Sequence, residues 1–217
     1  KLPPSPTSFT VYHSLLRNEI KRVRKTLNLK TIHSYDNVKE SIKSGSLDEK
    51  ALFEHIWILI LNAERAWAYG MQLKTEYQTG SGAATLRNHC LKRFVKAASW
   101  ASFVKENASV CLDERGKVEI EAYFNWLQGT VSLEKEMYSD AAKSFSEANK
   151  VYQQLSTVGS IEARSTYSKR STEISNLLQY CQYEVSRKSG NSAELQNIQN
   201  LLSEASTPII NAKLEAA

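Results

Sequence analysis

Residues 139–156 read SDAAKSFSEANKVYQQLS, and their apolar residues recur at intervals of three and four. This spacing places them on one face of an α-helix, where they form a stripe to be buried: Ala141, Phe145, Ala148, Val151, Tyr152 and Leu155. Gly129 and Tyr138 stand at the offsets that extend this stripe into a tetratricopeptide repeat signature. The signature occurs clearly only once. It indicates a packed helix pair, and the alternative is that these residues are ordinary core residues and not part of a repeat.

The same periodicity, with capping and helix-breaking residues, divides the rest of the chain into helices. Eight helices and no strand are expected: residues 6–30, 36–45, 48–78, 85–109, 113–136, 139–156 and 160–187, and a weak segment before Pro208. The expected fold is all-α, a tetratricopeptide-like helical module of stacked antiparallel helix pairs. Residues 1–187 are predicted as a single helical domain, and residues 188–217 as a weakly helical or flexible C-terminal extension.

Composition excludes several classes of protein. Eight glycines and four prolines in 217 residues are too few for a collagenous or largely disordered chain. The longest apolar run, Ile56 to Leu61, is far shorter than the roughly 20 residues of a membrane helix. Three widely spaced cysteines indicate a reducing compartment, so a cytoplasmic location is expected.

No catalytic, metal or cofactor motif is visible, so neither an enzyme nor a cofactor is predicted. Gly80-Ser81-Gly82 is similar to the start of a dinucleotide loop, but a helix precedes it where a strand is needed, so it is predicted as an interhelical loop. His89-Cys90 has no second pair at metal-ligand spacing, which favours a core or surface role.

Positive charge is concentrated at the N-terminus. Residues 1–30 hold seven Lys or Arg and one acid, Glu19, whereas the whole chain carries a net charge of +5. On a helical wheel the apolar residues from Leu16 to Leu27 share one face, and the basic residues cluster on the adjacent side. Like charges four residues apart, as in Arg17 and Lys21, are unfavourable unless an anion is present. This pattern favours a polyanionic partner, with an ordinary solvated face as the alternative.

A second basic stretch has no Asp or Glu from Gln78 to Lys105. If the first helix packs near this one, their surfaces form one basic platform. No helix-turn-helix, zinc-finger or RNP motif is present, and the major groove of regular A-form RNA is too narrow for a helix about 10 to 12 Å across. The prediction is therefore shape recognition of folded RNA with a widened groove. The candidate RNA-binding residues are Arg17, Lys21, Arg22, Arg24, Lys25, Asn28, Lys30, Arg87, Lys92, Arg93 and Lys96.

Several blocks of sequence resemble one family. Arg24-Lys25-Thr26-Leu27-Asn28, after Tyr12 and a basic run, resembles the N-terminal RNA-binding domain of the 68-kDa subunit family of the eukaryotic signal recognition particle. Further similar blocks are Ala63-Glu64-Arg65-Ala66-Trp67, Met71-Gln72-Leu73-Lys74, Leu91-Lys92 with Lys96, Ala122-Tyr123, Glu173-Ile174-Ser175 and Tyr180-Cys181 with Tyr183. The resemblance extends from about Tyr12 to Tyr183.

The resemblance implies a tetratricopeptide-like module that binds the particle's RNA at a three-way junction, where an arginine-rich helix enters the major groove and bends the RNA. The matching positions are Arg17, Lys21, Arg22, Arg24 and Lys25. The chain departs from the most arginine-rich members at Asn18 and Glu19, so neither is predicted as a contact. At position 21 Lys replaces Arg, which keeps the charge and loses the planar fork.

The resemblance also implies a structural role in co-translational protein targeting to the endoplasmic reticulum. The particle is expected in the cytoplasm, with nucleolar assembly and endoplasmic reticulum association but no direct membrane insertion. Full-length members continue into a segment that binds the 72-kDa subunit, and this function is expected to be absent from the present fragment.

Two other functions remain open. One is a protein-interaction scaffold of tetratricopeptide type with no direct RNA role. The other is a membrane-surface module. It is less favoured, because the apolar stripe of the first helix consists of residues typical of a protein core. Tyr12 is predicted to anchor the first helix rather than to stack on a base. His13 and His33 flank that helix and could contact phosphate, although lone histidines more often have no such role.

Overall fold

The structure is a computed structural model that describes residues 9–29, 34–80, 83–107, 112–158, 160–189, 196 and 198–201. Within these ranges no strand is present, and the helices are α1 (Phe9–Thr26), α2 (Ser34–Ser44), α3 (Glu49–Thr79), α4 (Ala83–Glu106), α5 (Glu114–Glu134), α6 (Tyr138–Leu155) and α7 (Ile161–Ser189). The all-α prediction is confirmed, and seven predicted helices lie within a few residues of their predicted bounds. Residues 198–201 are also helical, but most of the predicted eighth segment lies outside the described residues.

The long helix α3 illustrates why the boundaries are readable from sequence. Asp48 precedes its first turn, and the Asp48 carboxylate accepts a 2.7 Å hydrogen bond from the Ala51 N–H. This satisfies one of the N–H groups that a helix leaves without an intrahelical partner. At the other end α3 stops at Gly80, the first residue of the predicted interhelical loop.

The described residues fall into two compact units, one within Leu2–Asp113 and one within Glu114–Ala217. In the first unit α3 packs against α1 and α4, and in the second α6 packs against α5 and α7. Short connections join most of these partners in sequence, so the helices run antiparallel as predicted. The predicted single domain over residues 1–187 stays a prediction.

In each unit, a glycine of one helix faces an aromatic ring of a neighbouring helix. A Cβ atom at Gly70 would lie 2.6 Å from the ring of Phe94 on α4, and one at Gly129 would lie 2.6 Å from the ring of Phe145 on α6. Phe145 is fully buried, as are the small residues one turn away on either side, Ala141 and Ala148. The repeat signature therefore marks a close contact between two helix backbones.

Candidate nucleic-acid interface

Helix α1 has one buried face and one exposed basic face. Leu16, Ile20 and Val23 are buried against the first unit's core, as the helical wheel predicts. Arg17 and Lys21 lie on the adjacent side and are exposed. Because the apolar face is fixed against α3, the basic face is held toward solvent.

Two contacts near its start fix α1 on α3. The Phe9 ring meets the Trp67 ring edge-on, with centroids 5.7 Å apart. The Tyr12 hydroxyl donates a 2.9 Å hydrogen bond to the Glu64 carboxylate. This contact agrees with the predicted anchoring role of Tyr12 and leaves the basic residues further along α1 on the outside.

The C-terminal end of α1 orients Arg24. Asn28 has a left-handed backbone (φ 52°), and the Leu29 N–H donates to the Arg24 carbonyl at 2.9 Å, which is the pattern of a Schellman cap. The cap turns the Leu29 carbonyl back toward α1, where it accepts a 3.2 Å hydrogen bond from the Arg24 guanidinium. That guanidinium also lies 5.7 Å from the centre of the Tyr35 ring. Asn28 thus shapes the helix end, in addition to being exposed as a candidate contact.

A surface groove follows this end of α1. It is lined by Lys21, Arg24, Lys25, Asn28 and Leu29, four of which are predicted site residues. Lys30, the next candidate, lies outside the described residues, as does His33. The groove combines three cationic side chains with a backbone turn, a combination suited to a phosphate backbone.

Arg22 is oriented differently from the other basic residues of α1. Its guanidinium forms an exposed ion pair with Glu19, in which the Nε donates to the carboxylate at 3.0 Å. The paired carboxylate raises the pKa of Arg22, chiefly through the hydrogen bond. Arg22 is therefore paired with an acid of its own helix.

Helix α4 contributes cations that rest on aromatic rings. The Arg93 guanidinium lies 4.9 Å from the centre of the Tyr69 ring of α3, and the Lys96 ammonium lies 4.9 Å from the centre of the Trp100 ring. Such contacts hold long side chains in place while their charge stays accessible. Arg87 and Lys92 are exposed on the same helix.

Aromatic rings connect the basic residues of α1 and α4. His13 of α1 stacks on Tyr69, with ring centroids 5.2 Å apart, so α1 meets the ring on which Arg93 rests. On the other side, the Tyr35 ring beneath Arg24 contacts the Trp100 ring edge-on at 5.5 Å. The basic groups of the two helices thus belong to one surface of the first unit, the arrangement expected if the helices packed near each other. We call it the basic surface: Arg17, Lys21, Arg24, Lys25, Arg93 and Lys96.

The charges of this surface shift the pKa values of two of its residues. Burial lowers the pKa of His13, and the neighbouring charges of Arg65, Arg17 and Arg93 lower it further. Burial also lowers the pKa of Arg65; Tyr35 opposes this shift, and Arg93, Arg17 and Arg24 add to it. Cations from α1, α3 and α4 therefore act on one another directly.

Sequence reasoning missed two cations near this surface. Arg65 projects from α3, and Lys39 of α2 lies 4.9 Å from the centre of the Trp100 ring. A signal for Arg65 existed, since Asn62, Arg65 and Tyr69 share one side of a largely apolar helix. Nothing in the sequence of α2 distinguishes Lys39 from a solvated lysine.

Other sites considered from the sequence are structural or remain unsupported. The Cys90 thiol donates a 3.3 Å hydrogen bond to the Gly70 carbonyl and is fully buried. Cys90 of the His89-Cys90 pair is therefore a core residue. Across the described ranges, no group of His, Cys, Asp or Glu has the arrangement of a metal site. In the same part of the chain, no helix has the length and apolarity to cross a membrane.

The fold and this surface define an α-helical protein with a cationic, aromatic-supported face. Comparison with protein families places it further: residues 7–217 match the family described as RNA-binding signal recognition particle 68, SRP68. The chain belongs to this family, as its resemblance predicted.

Individual relatives agree with the assignment. The chain is 30% identical over 180 residues to signal recognition particle subunit SRP68 of Drosophila melanogaster, which covers 82% of this chain and 29% of the fly protein. It is 25% identical over 206 residues to the SRP68 subunit of Dictyostelium discoideum, covering 94% of this chain and 32% of that protein. The chain thus spans less than one third of the length of these relatives.

A solved structure shares the fold. The SRP68-RBD from Chaetomium thermophilum superposes with a TM-score of 0.65 at 22% sequence identity, covering 82% of this chain and 84% of that one. The tetratricopeptide-like helical arrangement predicted from sequence is confirmed by this likeness and by the antiparallel helix pairs.

Proposed function

We propose that this chain binds signal recognition particle RNA near its three-way junction and bends it, as a structural, non-catalytic part of the particle that targets nascent proteins to the endoplasmic reticulum. The observation that supports this most is the outward basic face of α1, whose opposite face is buried. The particle would act in the cytoplasm, after assembly in the nucleolus. Binding of the 72-kDa subunit is not part of this proposal.

The charge arrangement supports an RNA partner. Arg17, Lys21 and Lys25 are exposed on one side of α1, while the acid of that helix, Glu19, is paired with Arg22. Holding like charges at this spacing costs a few tenths of a kcal/mol for each pair in the free helix. A row of phosphates removes this cost and releases counterions, which makes binding favourable at low salt.

The rigidity of the helix supports recognition by shape. Helix α1 is anchored through Phe9 and Tyr12 and capped at Asn28, so it presents its cations along a fixed helix. A rod about 10 to 12 Å wide enters an RNA major groove only where a bulge or junction widens it. This mismatch supports the proposed binding at a junction.

The decisive experiment is to measure affinity for a junction RNA against salt concentration. With about five phosphate contacts, the slope of log affinity against log salt is expected to be roughly −3.5 to −4.5. Replacing the exposed trio Arg17, Lys21 and Lys25 with Gln should reduce the steepness by about 2 to 3 and weaken binding strongly. Circular dichroism should show unchanged helix content.

A matched variant controls for net charge. Lys135, Arg164 and Lys169 are exposed in the second unit, and replacing them with Gln removes the same charge elsewhere. This control should keep most of the affinity and bind a junction RNA in preference to a straight duplex of equal length. Equal losses in the two triple variants, or a flat salt response in the unsubstituted chain, contradict the proposal.

The second candidate function is a protein-interaction scaffold of tetratricopeptide type. It is favoured by the buried repeat signature around Gly129 and Phe145, which is shared with peptide-binding helical repeats. Under this hypothesis, partners recovered with the chain are the same before and after nuclease treatment. Loss of the recovered material on nuclease treatment favours RNA binding.

A further inference from the structure

We propose that His13, Arg17, Arg65 and Arg93 form one phosphate-binding site where α1, α3 and α4 meet, and that it takes a backbone phosphate of the bound RNA. This inference rests on the proposed function and extends it to α3, a helix without a predicted binding residue. The shared chemistry is that of a phosphate group, so the tests below separate an RNA phosphate from free phosphate. We call these four residues the phosphate cluster.

Arg65 is the centre of the argument because it is partly buried without an acid partner. Its guanidinium donates a 3.3 Å hydrogen bond to the Asn62 side-chain oxygen, and among the described residues no carboxylate pairs with it. The adjacent carboxylate, Glu64, accepts the hydroxyl of Tyr12 instead. A guanidinium has five N–H donors, so most of the donors of Arg65 are left for another acceptor.

Tyr69 brings two further members of the phosphate cluster together. His13 stacks on this ring at 5.2 Å between centroids, and the Arg93 guanidinium lies 4.9 Å from the ring centre. Tyr69 is one helical turn beyond Arg65 on α3. The His13 imidazole and the Arg93 guanidinium therefore meet at the Tyr69 ring, and Arg65 lies on the same side of α3 one turn before it.

Arg17 completes the phosphate cluster from the exposed face of α1. It lies four residues after His13, so both side chains project from the same side of that helix. Arg17 is exposed, and within the described ranges it forms no ion pair. It is thus available to close over an anion held by Arg65 and Arg93.

Like charges gathered in this way destabilise the free protein. Arg65, Arg17 and Arg93 all act on His13, and Arg93, Arg17 and Arg24 act on Arg65. Burial weakens hydration and so increases the repulsion between cations. A bound anion would reverse the sign of this interaction.

A phosphate fits the donors better than other anions. Arginine forks match two phosphate oxygens at once, and three arginines from three helices can surround a tetrahedral group. The site also adjoins the basic surface through Arg17 and Arg93, so an RNA strand along α1 passes over it. A partly buried phosphate contact of this kind fixes the register of the RNA backbone and does not read bases.

The test uses the 217-residue chain and Arg65→Gln, which removes the charge and keeps a polar side chain of intermediate length. Affinity for the junction RNA should fall roughly tenfold or more, and the salt slope should become shallower by about one. The melting temperature without RNA should not fall, because the substitution relieves repulsion. Arg164→Gln, an exposed substitution in the second unit, is the matched control and should change neither affinity nor slope.

A second measurement detects the site without RNA. The pKa of His13 is followed by NMR of the imidazole signals, assigned by their loss in His13→Gln, in inorganic phosphate and in chloride at equal ionic strength. Phosphate should raise the pKa of His13 in the unsubstituted chain and to a smaller extent in Arg65→Gln. Arg17→Gln, at an exposed position, provides the same comparison if Arg65→Gln does not fold.

The outcomes separate this inference from the proposed function. An Arg65→Gln chain that binds junction RNA with unchanged affinity and slope overturns the site, even if the α1 triple variant loses binding. A phosphate effect on His13 that junction RNA does not reproduce also overturns the assignment to an RNA phosphate. If the unsubstituted chain binds no RNA, the proposed function itself fails and the RNA assignment fails with it.

Discussion

The Tyr12 hydroxyl donates a 2.9 Å hydrogen bond to the carboxylate of Glu64, 52 residues further along the chain. It is one of the polar links between α1 and α3, beside the apolar contacts of Leu16, Ile20 and Val23. The same bond occupies Glu64, the residue next to Arg65. One tyrosine thereby both anchors the basic helix and keeps a carboxylate engaged near the phosphate cluster.

Tyr12→Phe should destabilise the protein by about 1 kcal/mol, because it removes one hydrogen bond to a charged acceptor in a partly buried position. Urea unfolding followed by circular dichroism measures this change. Tyr183→Phe, at a tyrosine that is 62% exposed, is the control and should have little effect. Equal stability of Tyr12→Phe and the unsubstituted protein would mean that the apolar face alone holds α1.

Glu19→Gln should strengthen RNA binding several-fold. The substitution breaks an exposed ion pair, adds one net positive charge and releases Arg22 for contact with phosphate. Stability should change by less than about 1 kcal/mol, since exposed ion pairs contribute little. Filter binding at several salt concentrations measures the affinity, and an unchanged salt slope would show that Arg22 stays away from the RNA.

The free energy of unfolding should fall as the pH drops through about 6.5, the ordinary pKa of histidine. His13 has a lowered pKa in the folded protein because of burial and the charges of Arg65, Arg17 and Arg93. Below the unfolded value, the unfolded chain binds more protons than the folded chain, so acid favours unfolding. The dependence should be weaker in His13→Gln, and an equal dependence in the two proteins would contradict this prediction.

Gly129→Ala should destabilise the protein by up to about 2 kcal/mol. The added Cβ would lie 2.6 Å from the Phe145 ring, which is fully buried and cannot move aside freely. Overpacking of about 1 to 3 kcal/mol outweighs the gain of about 1 kcal/mol in helix propensity. Gln128→Ala changes the exposed neighbour and is the comparison in urea unfolding; a stabilised Gly129→Ala would mean that the two helices separate without cost.

Cys90 and Cys181 should resist alkylation in the native protein. Both are fully buried, and burial raises the pKa of the Cys181 thiol to about 12, so almost no reactive thiolate is present at neutral pH. Labelling is best measured in a Cys111→Ser background, since position 111 lies outside the described residues. The expected result is that two thiols are labelled only after unfolding. Rapid labelling without denaturant would contradict this prediction.

The sequence predicts the helices well because local physics sets their ends. Asp48 caps α3 as a side-chain acceptor at the expected position, and the stripe from Ala141 to Leu155 is buried as its spacing requires. The two faces of α1 follow from the same rule. These features depend on residues within a few helical turns of one another, so the helix ends and buried faces can be predicted from a single sequence.

The candidate site is less predictable because it depends on contacts between helices. The basic face of α1 is evident from the wheel, but the pairing of Arg22 with Glu19 involves a choice of side-chain rotamer that the wheel does not define. The electrostatic influence of Arg93 and Arg17 on Arg65 depends on the packing of three helices. No pattern within α3 alone predicts which cations lie beside it.

The Schellman cap at Asn28 and the Phe9 contact with Trp67 hold α1 at both ends. Little chain entropy is then left for this helix to lose when a ligand arrives. Under the proposed function, the RNA changes shape on binding and the protein does not. The chain therefore discriminates among RNAs by how easily they deform. The protein is preorganised for binding, and contacts between its cations and the RNA phosphates offset the free-energy cost of deforming the RNA.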